Sequence, residues 1–410
     1  MTNEVKNVPE LRFSDFSDEW EEKKLEDLLK FNNGINASKE QYGTGMKFIN
    51  VLDILNTNFI TYDKIIGRVN VSKAIENRNK VEYGDILFLR SSETREDVGM
   101  CNVYLDKEKH SLYGGFIIRG KKIGEYSPFF LKILLNNSKA RKSISSLAGG
   151  STRFNVSQDI LKVVGILVPK MNEQIKIGDF FNKLDQQIEL EEQKLSLLEE
   201  QKKGYMQDFF SKSILFKDEK GNINYNWSKF QVKDIFPKIE SGNRLPKNNL
   251  VEGNVPYVIA QTTNNGVFMY ISENTLDYHK NKLKLFKKGS ITISIDNPEA
   301  MFIQKENFFT SNVMRVLYNE HLKKESHIYI MEILRKLTRT YNWSVKFSGP
   351  IIMNSIIELP IHSNNGKINW NIVNQIGDFF NTFEKRINKQ LDKIELLKER
   401  KKGFLQKMFI

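Results

Sequence analysis

The sequence contains a single cysteine, Cys101, and no apolar run that approaches the roughly 18 residues needed to cross a bilayer. One cysteine excludes an internal disulfide and suits a reducing compartment, and we expect it to be a small core residue. The amino terminus, MTNEVKNVPELRFSDF, has neither a cationic region before an apolar run nor an acid-free amphipathic pattern. We therefore expect a cytoplasmic protein.

Motifs of the common enzyme classes are also missing from the sequence. There is no Gly-x-x-x-x-Gly-Lys-Ser/Thr loop for ATP, and the five histidines do not have the spacing of a metal site. The stretch Asp296-Asn297-Pro298-Glu299 is the nearest match to the Asn/Asp-Pro-Pro-aromatic motif of adenine methyltransferases. It lacks the second proline and the aromatic residue, so a turn is expected there. The sequence predicts no catalytic residue, no metal site and no cofactor in this chain.

Basic residues and chain length are the first positive signals. Lys and Arg total 62 against 50 Asp and Glu, which gives a net charge of +12 and makes a polyanion the first partner to consider. A chain of 410 residues exceeds the size at which a single hydrophobic core stops growing. Two domains are therefore expected.

The segment IGDFFN occurs twice, at residues 177–182 and 376–381. A shift of 199 residues aligns 177–210 with 376–409 without a gap, and 16 of the 34 positions are identical. This agreement indicates an internal duplication. Trp20 and Asp27 also recur as Trp227 and Asp234, so the duplication extends more faintly into the domains.

Each copy of the repeat predicts a long helix. Neither copy contains proline, both are rich in Glu, Lys, Gln and Leu, and apolar residues recur at intervals of three, four and seven. A seam this narrow favours a coiled coil over an ordinary amphipathic helix on the neighbouring domain. The seam is interrupted by Glu191 and Lys202 in one copy and by Gln390 and Lys401 in the other. The predicted seam residues are Leu184, Ile188, Leu195, Leu198, Tyr205, Phe383, Ile387, Ile394, Leu397 and Phe404.

The two helices divide the chain into four parts. We predict a first domain at 1–173, a central helix at 174–213, a second domain at 214–372 and a C-terminal helix at 373–410. The domains mix strand and helix signals without strict alternation, which predicts an α+β fold. The second helix must return if it pairs with the first, so the pair is expected to be antiparallel and the two domains to be related by a pseudo-twofold axis.

A twofold arrangement of two basic domains matches the dyad of duplex DNA, in which equivalent groove faces recur about every 10 bp. The domains differ in sequence, so the half-sites that they read should differ as well. The predicted target is therefore bipartite and asymmetric, with a gap.

The helical regions resemble those of the specificity subunits of type I restriction-modification systems. The resemblance is carried by LVPKMNEQIKIGDFFNKLDQQI and by LLEEQKKGYMQDFF, and it covers essentially the whole chain as two target-recognition domains, each followed by a helical region. The second copy departs from the pattern, because Asn374-Gln375 stands where Glu-Gln is usual and SNNGKINWNIVN precedes the helix.

The resemblance implies a bacterial, non-catalytic subunit that binds double-stranded DNA and sets the half-site spacing with its helices. It also implies two modification (methyltransferase) subunits as partners, to which two ATP-dependent restriction subunits can be added. S-adenosylmethionine, ATP and Mg are then expected on the partner subunits. Two alternatives stay open from the residues alone: a coiled-coil scaffold that binds proteins, and a nuclease with an unrecognised site.

Base-reading residues are expected in polar loops, since Arg pairs with guanine, Asn or Gln with adenine, and Ser or Thr with either. These residue types also populate turns for backbone reasons alone. The first-domain candidates are Arg90, Ser91, Ser92, Thr94 and Arg95 in LRSSETRED, with Ser151, Thr152 and Arg153 in AGGSTRFN. The second-domain candidates are Arg244, Lys247, Gln261, Thr262, Thr263, Asn264 and Asn265, with Trp343, Lys346 and Ser348 as the counterpart of AGGSTRFN. The phosphate-contacting candidates are Lys121, Lys122, Arg335 and Arg339.

Overall fold

The computed structural model describes residues 7–213, 217, 223, 225–246 and 249–410. These residues form two compact units, Met1–Lys194 with Leu391–Ile410 and Leu195–Gln390. Each unit contains one mixed domain and a part of each long helix, so the fold is α+β, as the sequence predicts. No helix in the described part of the chain is long and apolar enough to cross a membrane.

The first domain is built from short strands and short helices. Its strands are β1 (Glu21–Lys24), β2 (Leu29–Asn33), β3 (Tyr42–Ile49), β4 (Arg68–Val69), β5 (Ile86–Leu89), β6 (Ser91–Ser92), β7 (Cys101–Val103), β8 (Leu112–Tyr113), β9 (Ile117–Lys122), β10 (Phe154–Asn155) and β11 (Gly165–Val168). Its helices are α1 (Leu25–Leu28), α2 (Val51–Leu55), α3 (Lys73–Arg78), α4 (Pro128–Asn136), α5 (Ser138–Ser146) and α6 (Gln158–Lys162).

Two sheets organise the first domain. One is the antiparallel sheet β2-β9-β5-β7, and the other is β4-β3-β8, in which β3 and β8 are parallel. All four residues of β5 are buried, because α2 and neighbouring strands pack around it. The main core of this unit contains Trp20, Phe88 and Phe130, each 2 % exposed or less.

The second domain repeats this plan. Its strands are β12 (Tyr225–Gln231), β13 (Ile239–Ser241), β14 (Glu252–Val258), β15 (Val267–Ile271), β16 (Ile291–Ser294), β17 (Met301–Ile303), β18 (Phe309–Thr310), β19 (Met314–Leu317) and β20 (Ile356–His362). Its helices are α8 (Val232–Ile235), α9 (Lys324–Arg339) and α10 (Gly349–Asn354). The four-stranded sheet is β13-β19-β16-β17 and the three-stranded sheet is β15-β14-β18, again with one parallel pair, β14 and β18.

The long helices are α7 (Met171–Phe210) and α11 (Trp370–Lys407). Each begins and ends three residues before the range predicted from the sequence. The first helix follows directly on Pro169 and Lys170, at the end of β11. Glu173, in its first turn, is buried and accepts two hydrogen bonds of 2.7 Å from the guanidinium of Arg12. That contact fixes the segment before β1 against the start of the helix.

Within each unit the two helices run antiparallel. In the first unit Phe180 contacts Phe404 and Glu191 pairs with Lys393. Residues further along α7 therefore contact residues nearer the start of α11. In the second unit Tyr205 contacts Phe379 and Phe383 and Phe209 contacts Phe380, which follows the same rule. Six of the predicted seam residues are buried and three are partly exposed, whereas Tyr205 is 39 % exposed despite its ring contacts. The buried six are Ile188, Leu198, Phe383, Ile387, Ile394 and Leu397. The partly exposed three are Leu184, Leu195 and Phe404.

Charged residues interrupt the seam and are paired there. Lys401 forms an ion pair with Asp185 in the first unit, and Lys202 forms ion pairs with Glu384 and Glu332 in the second. Glu332 belongs to α9 and is 1 % exposed, so Lys202 joins the long helix to the domain. Buried ion pairs of this kind set register more than they add stability.

Candidate nucleic-acid interface

The structure brings the two polar loops of the first domain together. Strand β6 lies in LRSSETRED and pairs with β10 in AGGSTRFN, with Ser92 opposite Phe154 and Ser91 opposite Asn155. The N–H of Val156 also donates to the carbonyl of Arg90 at 3.0 Å. The turn before β10 depends on Gly150, whose φ of +110° suits glycine. Ser151, Thr152 and Arg153 are exposed at the tip of this turn.

Charged and hydroxyl groups cover the joined loops. The guanidinium of Arg95 lies 4.8 Å from the ring centroid of Phe154, which holds its planar face against the loop. Arg153 is 3.9 Å from Glu93, and both side chains are more than half exposed, so this pair breaks at little cost when a phosphate or base approaches. The hydroxyl of Thr94 donates to Asp97 at 2.7 Å.

Arg90 lies at the centre of this surface, at the end of β5. Its backbone N–H donates to the carbonyl of Phe116 at 2.8 Å, and its Nη1 donates to the carbonyl of Gly115 at 3.4 Å. A guanidinium has five N–H donors, so one long contact leaves most of them for a base edge. A cleft of about 540 Å³ opens beside Arg90 and is also lined by Asn33, Gly149 and Asn155.

The second domain repeats this arrangement with different side chains. The N–H of Ile295, at the end of β16, donates to the carbonyl of Val313, and the N–H of Phe347 donates to the carbonyl of Ile295 at 2.9 Å. Ile295 therefore takes the place of Arg90, and the NWSVKFSG loop takes the place of AGGSTRFN. Lys346 is 68 % exposed and lies 3.3 Å from Asp296.

Trp343 and Ser348 have structural contacts in this loop. The indole N–H of Trp343 donates to the carbonyl of Thr338 at 2.9 Å, and its ring packs on Tyr341 and Phe347. Ser348 precedes the first turn of α10, and its N–H donates to the carbonyl of Lys346. Lys346 therefore differs from these two residues in having a largely exposed charged end.

The remaining second-domain candidates lie on other segments. Arg244 is exposed and follows Gly242, whose backbone packs against Thr310. Lys247 lies outside the described residues. Gln261 donates to the carbonyl of Val267 at 2.7 Å, and Gln304 donates to the carbonyl of Asn265 at 3.0 Å. Thr262, Thr263 and Asn264 are exposed on the same segment.

The candidates for phosphate contact have different surroundings. Arg335 donates to Glu332 at 3.0 Å and to the carbonyl of Met301 at 2.6 Å, so its charge is used within the second unit. Lys122 donates to the carbonyl of Tyr126, and Lys121 lies 3.6 Å from Glu82. Arg339, at the end of α9, is exposed.

Two residues beside Arg90 were not predicted from the sequence. Asn36 and Phe116 flank Gly115, where an added Cβ would lie 1.8 Å from the Asn36 Oδ1. Phe116 is 58 % exposed and Asn36 is also exposed. The Gly-Gly-Phe of YGGFIIRG was the available signal, because paired glycines before a strand mark a tight turn.

In the described part of the chain, no group of three or more His, Cys, Asp or Glu side chains is placed to hold a metal ion. Burial raises the pKa of the Cys101 thiol to about 12, so it stays protonated in the core.

The repeated domains, the paired helices and the polar loop surfaces define a two-domain DNA-recognition protein. The family model described as type I restriction modification DNA specificity domain matches this chain twice, at residues 17–200 and 224–393. The chain belongs to this family, and its two domains are the target-recognition domains of a type I specificity subunit. As a member of this class it binds DNA and assembles with other subunits of a restriction-modification complex.

Curated relatives agree with the family match. The chain is 25 % identical over 348 residues to the type I restriction enzyme MjaIX specificity subunit of Methanocaldococcus jannaschii, covering 80 % of this chain and 78 % of the relative. It is 24 % identical over 324 residues to the specificity subunit of a type II restriction enzyme of Heyndrickxia coagulans, covering 73 % and 86 %. Both relatives therefore align with most of the chain.

Solved structures share the fold at low sequence identity. The S subunit of a type I restriction-modification system from M. genitalium superposes with a TM-score of 0.61 at 15 % identity, covering 98 % of this chain and 99 % of that one. A chain from a structure of a type I restriction-modification system, described for its complex assembly and conformational transition, gives a TM-score of 0.52 at 14 % identity. That match covers 95 % of this chain and 97 % of the other.

Proposed function

We propose that each domain reads one half of an asymmetric, bipartite site in duplex DNA through the loop surface described above. The first domain presents Arg90, Arg95 and the AGGSTRFN turn, and the second presents Lys346 and the segments of Arg244 and Gln261. The observation that carries the proposal is the same backbone arrangement built twice with different side chains. Two domains with the same backbone arrangement and different loop side chains are expected to bind two different half-sites.

The long helices have the second role in this proposal. They hold the two domains at a fixed separation, which sets the gap between the half-sites, and they dock two modification subunits. Exposed apolar side chains on the helices support a docking role: Leu190 is 64 % exposed, Leu197 59 % and Leu396 48 %. Two ATP-dependent restriction subunits complete the complex where the system also cleaves DNA.

Catalysis is assigned to the partners. In this proposal S-adenosylmethionine binds to the modification subunits, and ATP with Mg binds to the restriction subunits. This chain supplies the positions at which their chemistry occurs. Its own polar loop side chains bind and orient DNA.

The experiment is to map methylated adenines in cellular DNA with and without this chain. We expect a bipartite motif to lose methylation when the chain is deleted and to regain it on complementation. A hybrid chain that carries a different first domain should change one half-site and keep the other. Unchanged methylation after deletion would reject the proposal, and a change in both half-sites would reject the assignment of one domain to each half.

A further inference from the structure

Phe116 lies next to Arg90 on the first domain's loop surface, and its side chain is largely exposed to solvent. It is 58 % exposed, and within the described residues its ring contacts no other aromatic ring. Other large apolar side chains are exposed singly elsewhere on the chain, which is normal for a soluble protein. The position of Phe116 distinguishes it, because its carbonyl accepts the backbone N–H of Arg90.

The turn that carries Phe116 is held on both sides. The N–H of Gly114 donates to the carbonyl of Ile49 at 3.0 Å, and the N–H of Ile117 donates to the carbonyl of Gly114 at 3.0 Å. The Asn36 side chain fills the space beside Gly115, where no Cβ fits. A turn fixed in this way presents the phenyl ring at a defined place, and ordering it on binding costs little entropy.

The side chains near Phe116 carry hydrogen-bonding groups of the kinds that contact base edges in the major groove. Arg90 offers the donors that pair with guanine, and Asn36 offers the amide that pairs with adenine N6 and N7. In the described part of the chain, no hydrogen bond from another residue occupies the Asn36 amide. The thymine C5 methyl is the apolar group that a base pair presents in the same groove, and phenylalanine is one of the side chains that contact it.

We propose that Phe116 reads a thymine by packing its ring against the C5 methyl group in the half-site of the first domain. Phe116 is then a specificity-determining residue, and this half-site contains at least one A·T pair that it contacts. The inference rests on the proposed function, because it takes the first domain as a reader of duplex DNA.

The second domain supplies an internal comparison. Val313 takes the place of Phe116 there, since its carbonyl accepts the N–H of Ile295 at 3.1 Å. Val313 is partly buried and Ile295 is 8 % exposed, so this position presents no comparable exposed ring. The effect of Phe116 is therefore confined to one half-site.

The test replaces each thymine of the first half-site by uracil, one at a time, in duplexes that carry the motif found by methylation mapping. Uracil lacks only the methyl group. Affinities of the full chain with its modification subunits are measured by fluorescence anisotropy at one fixed salt concentration. One substitution should weaken binding by the wild-type complex about threefold to fivefold, as expected for a single buried methyl group. Phe116→Ala should bind the thymine and uracil duplexes equally.

Two variants control for loss of structure. Ile123→Ala removes a side chain of the same 58 % exposure at the other end of β9, and it should retain the full methyl effect. Phe116→Leu keeps an apolar side chain and should retain a part of the effect. Circular dichroism and thermal unfolding of each variant should match the wild type.

Three results would overturn the inference while leaving the proposed function intact. The first is sequence-specific binding that no uracil substitution weakens, and the second is a first half-site without an A·T pair. The third is that Phe116→Ala lowers the affinity for the thymine duplex and for the uracil duplex by the same factor, so that the effect of the methyl group remains. The last result, with increased fluorescence of a 2-aminopurine beside the contact, would indicate insertion between base pairs instead. Loss of all sequence preference in the wild-type complex would instead reject the proposed function.

Discussion

The rings of Phe180 and Phe404 meet edge to face in the first unit, with their centroids 5.0 Å apart. The second unit repeats this contact between Phe379 and Tyr205, at 5.2 Å, and each of these residues lies 199 positions from its counterpart. The ion pairs exchange roles in the same way, because Asp185 with Lys401 corresponds to Glu384 with Lys202. One duplicated helix sequence therefore encodes the same antiparallel contacts twice.

The glycine of the repeated IGDFFN motif has different surroundings in the two units. A Cβ at Gly377 would lie 1.9 Å from the carbonyl oxygen of Glu325, whereas a Cβ at Gly178 would lie 3.3 Å from the backbone nitrogen of Phe130. We expect Gly377→Ala to destabilise the second unit by about 1–3 kcal/mol, because the backbone of α9 must move. Gly178→Ala should change stability by less than about 1 kcal/mol, since improved helix propensity offsets a mild contact.

Urea unfolding checks this prediction through tryptophan fluorescence. Trp227, Trp343 and Trp370 report on the second unit and Trp20 reports on the first. Equal effects of the two substitutions would contradict the close approach of α11 to α9.

Lys202 links the second domain to the long helix. Its ammonium is 3.1 Å from Glu332, whose side chain is 1 % exposed, and the Lys202 side chain is 14 % exposed. Lys202→Met should destabilise the second unit by about 1–3 kcal/mol, because the buried Glu332 loses one of its two cationic partners and keeps the hydrogen bond from Arg335. Lys398→Met is the matched control and should cost less than about 1 kcal/mol, since Lys398 and Glu192 are 56 % and 48 % exposed.

The double variant Lys202→Met with Glu332→Leu separates pairing from packing. Its loss of stability should be smaller than the sum of the two single effects, because Glu332→Leu breaks no ion pair with Lys202 once Lys202 is absent. Arg335 loses its carboxylate in both proteins that carry Glu332→Leu. Guanidinium or urea midpoints of the four proteins measure the coupling. A double variant less stable than the sum of the single effects would show that the charges are needed for the packing itself.

The long helices could be predicted from the sequence because their signal is local and repeated. The spacing of Ile188 and Ile387 within a duplicated segment was enough to predict helices, a seam and an antiparallel pair. It did not show that Trp343 donates its indole N–H to Thr338, because that contact depends on how the whole loop packs on Phe347. Phe116 and Asn36 were missed for a related reason: Asn36 packs beside Gly115, although the two segments are about 80 residues apart in sequence.

The stability of the second unit is expected to depend on pH through His327. Its Nε2 accepts the N–H of Asn319 at 3.2 Å and its Nδ1 donates to the carbonyl of Lys323 at 3.0 Å, so a second ring proton has no acceptor at Nε2. Burial lowers the pKa of His327 below its ordinary value of 6.5. The unfolded chain then binds the proton more readily than the folded unit does. The contribution of neutral His327 to the free energy of unfolding is complete above pH 6.5. It is lost as the pH falls from there towards the pKa of His327 in the folded unit.

The comparison uses His327→Gln, which retains a side-chain acceptor and cannot take up the proton. Denaturation midpoints from tryptophan fluorescence are measured at about pH 7.5 and about pH 5.5, a range in which histidine is the main titrating side chain. The wild type should lose more stability than the variant over this interval. Parallel losses in the two proteins would exclude His327 as the source.

Substitutions of Arg90 and Lys346 are expected to change base preference in different half-sites. Arg90→Ala should weaken specific binding by about 1–3 kcal/mol and relax the base preference at one position of the first half-site. Lys346→Ala should act only on the second half-site. Lys170→Ala removes a positive charge that is 71 % exposed and paired with Asp18 at the start of α7, and it should leave both preferences unchanged.

Binding measured on a panel of singly substituted duplexes, at one salt concentration, distinguishes these outcomes. A uniform weakening over all sequences would assign Arg90 to a phosphate instead of a base. Loss of preference in the wrong half-site would contradict the pairing of domains with half-sites.

The role of the helices as a spacer predicts that the gap in the DNA site follows helix length. Seven residues inserted between Lys194 and Leu195, and seven between Gln390 and Leu391, fall at the boundary of the two units and keep the heptad phase of both helices. The added rise is about 10 Å, which corresponds to roughly three base pairs. Methylation mapping should therefore show the same two half-sites with a gap about three base pairs longer. Insertion in one helix alone should abolish methylation, because the pairs Glu191 with Lys393 and Lys202 with Glu384 cannot then both stay in register along two continuous helices. New base identities in either half-site, or an unchanged gap, would show that the helices do not set the spacing.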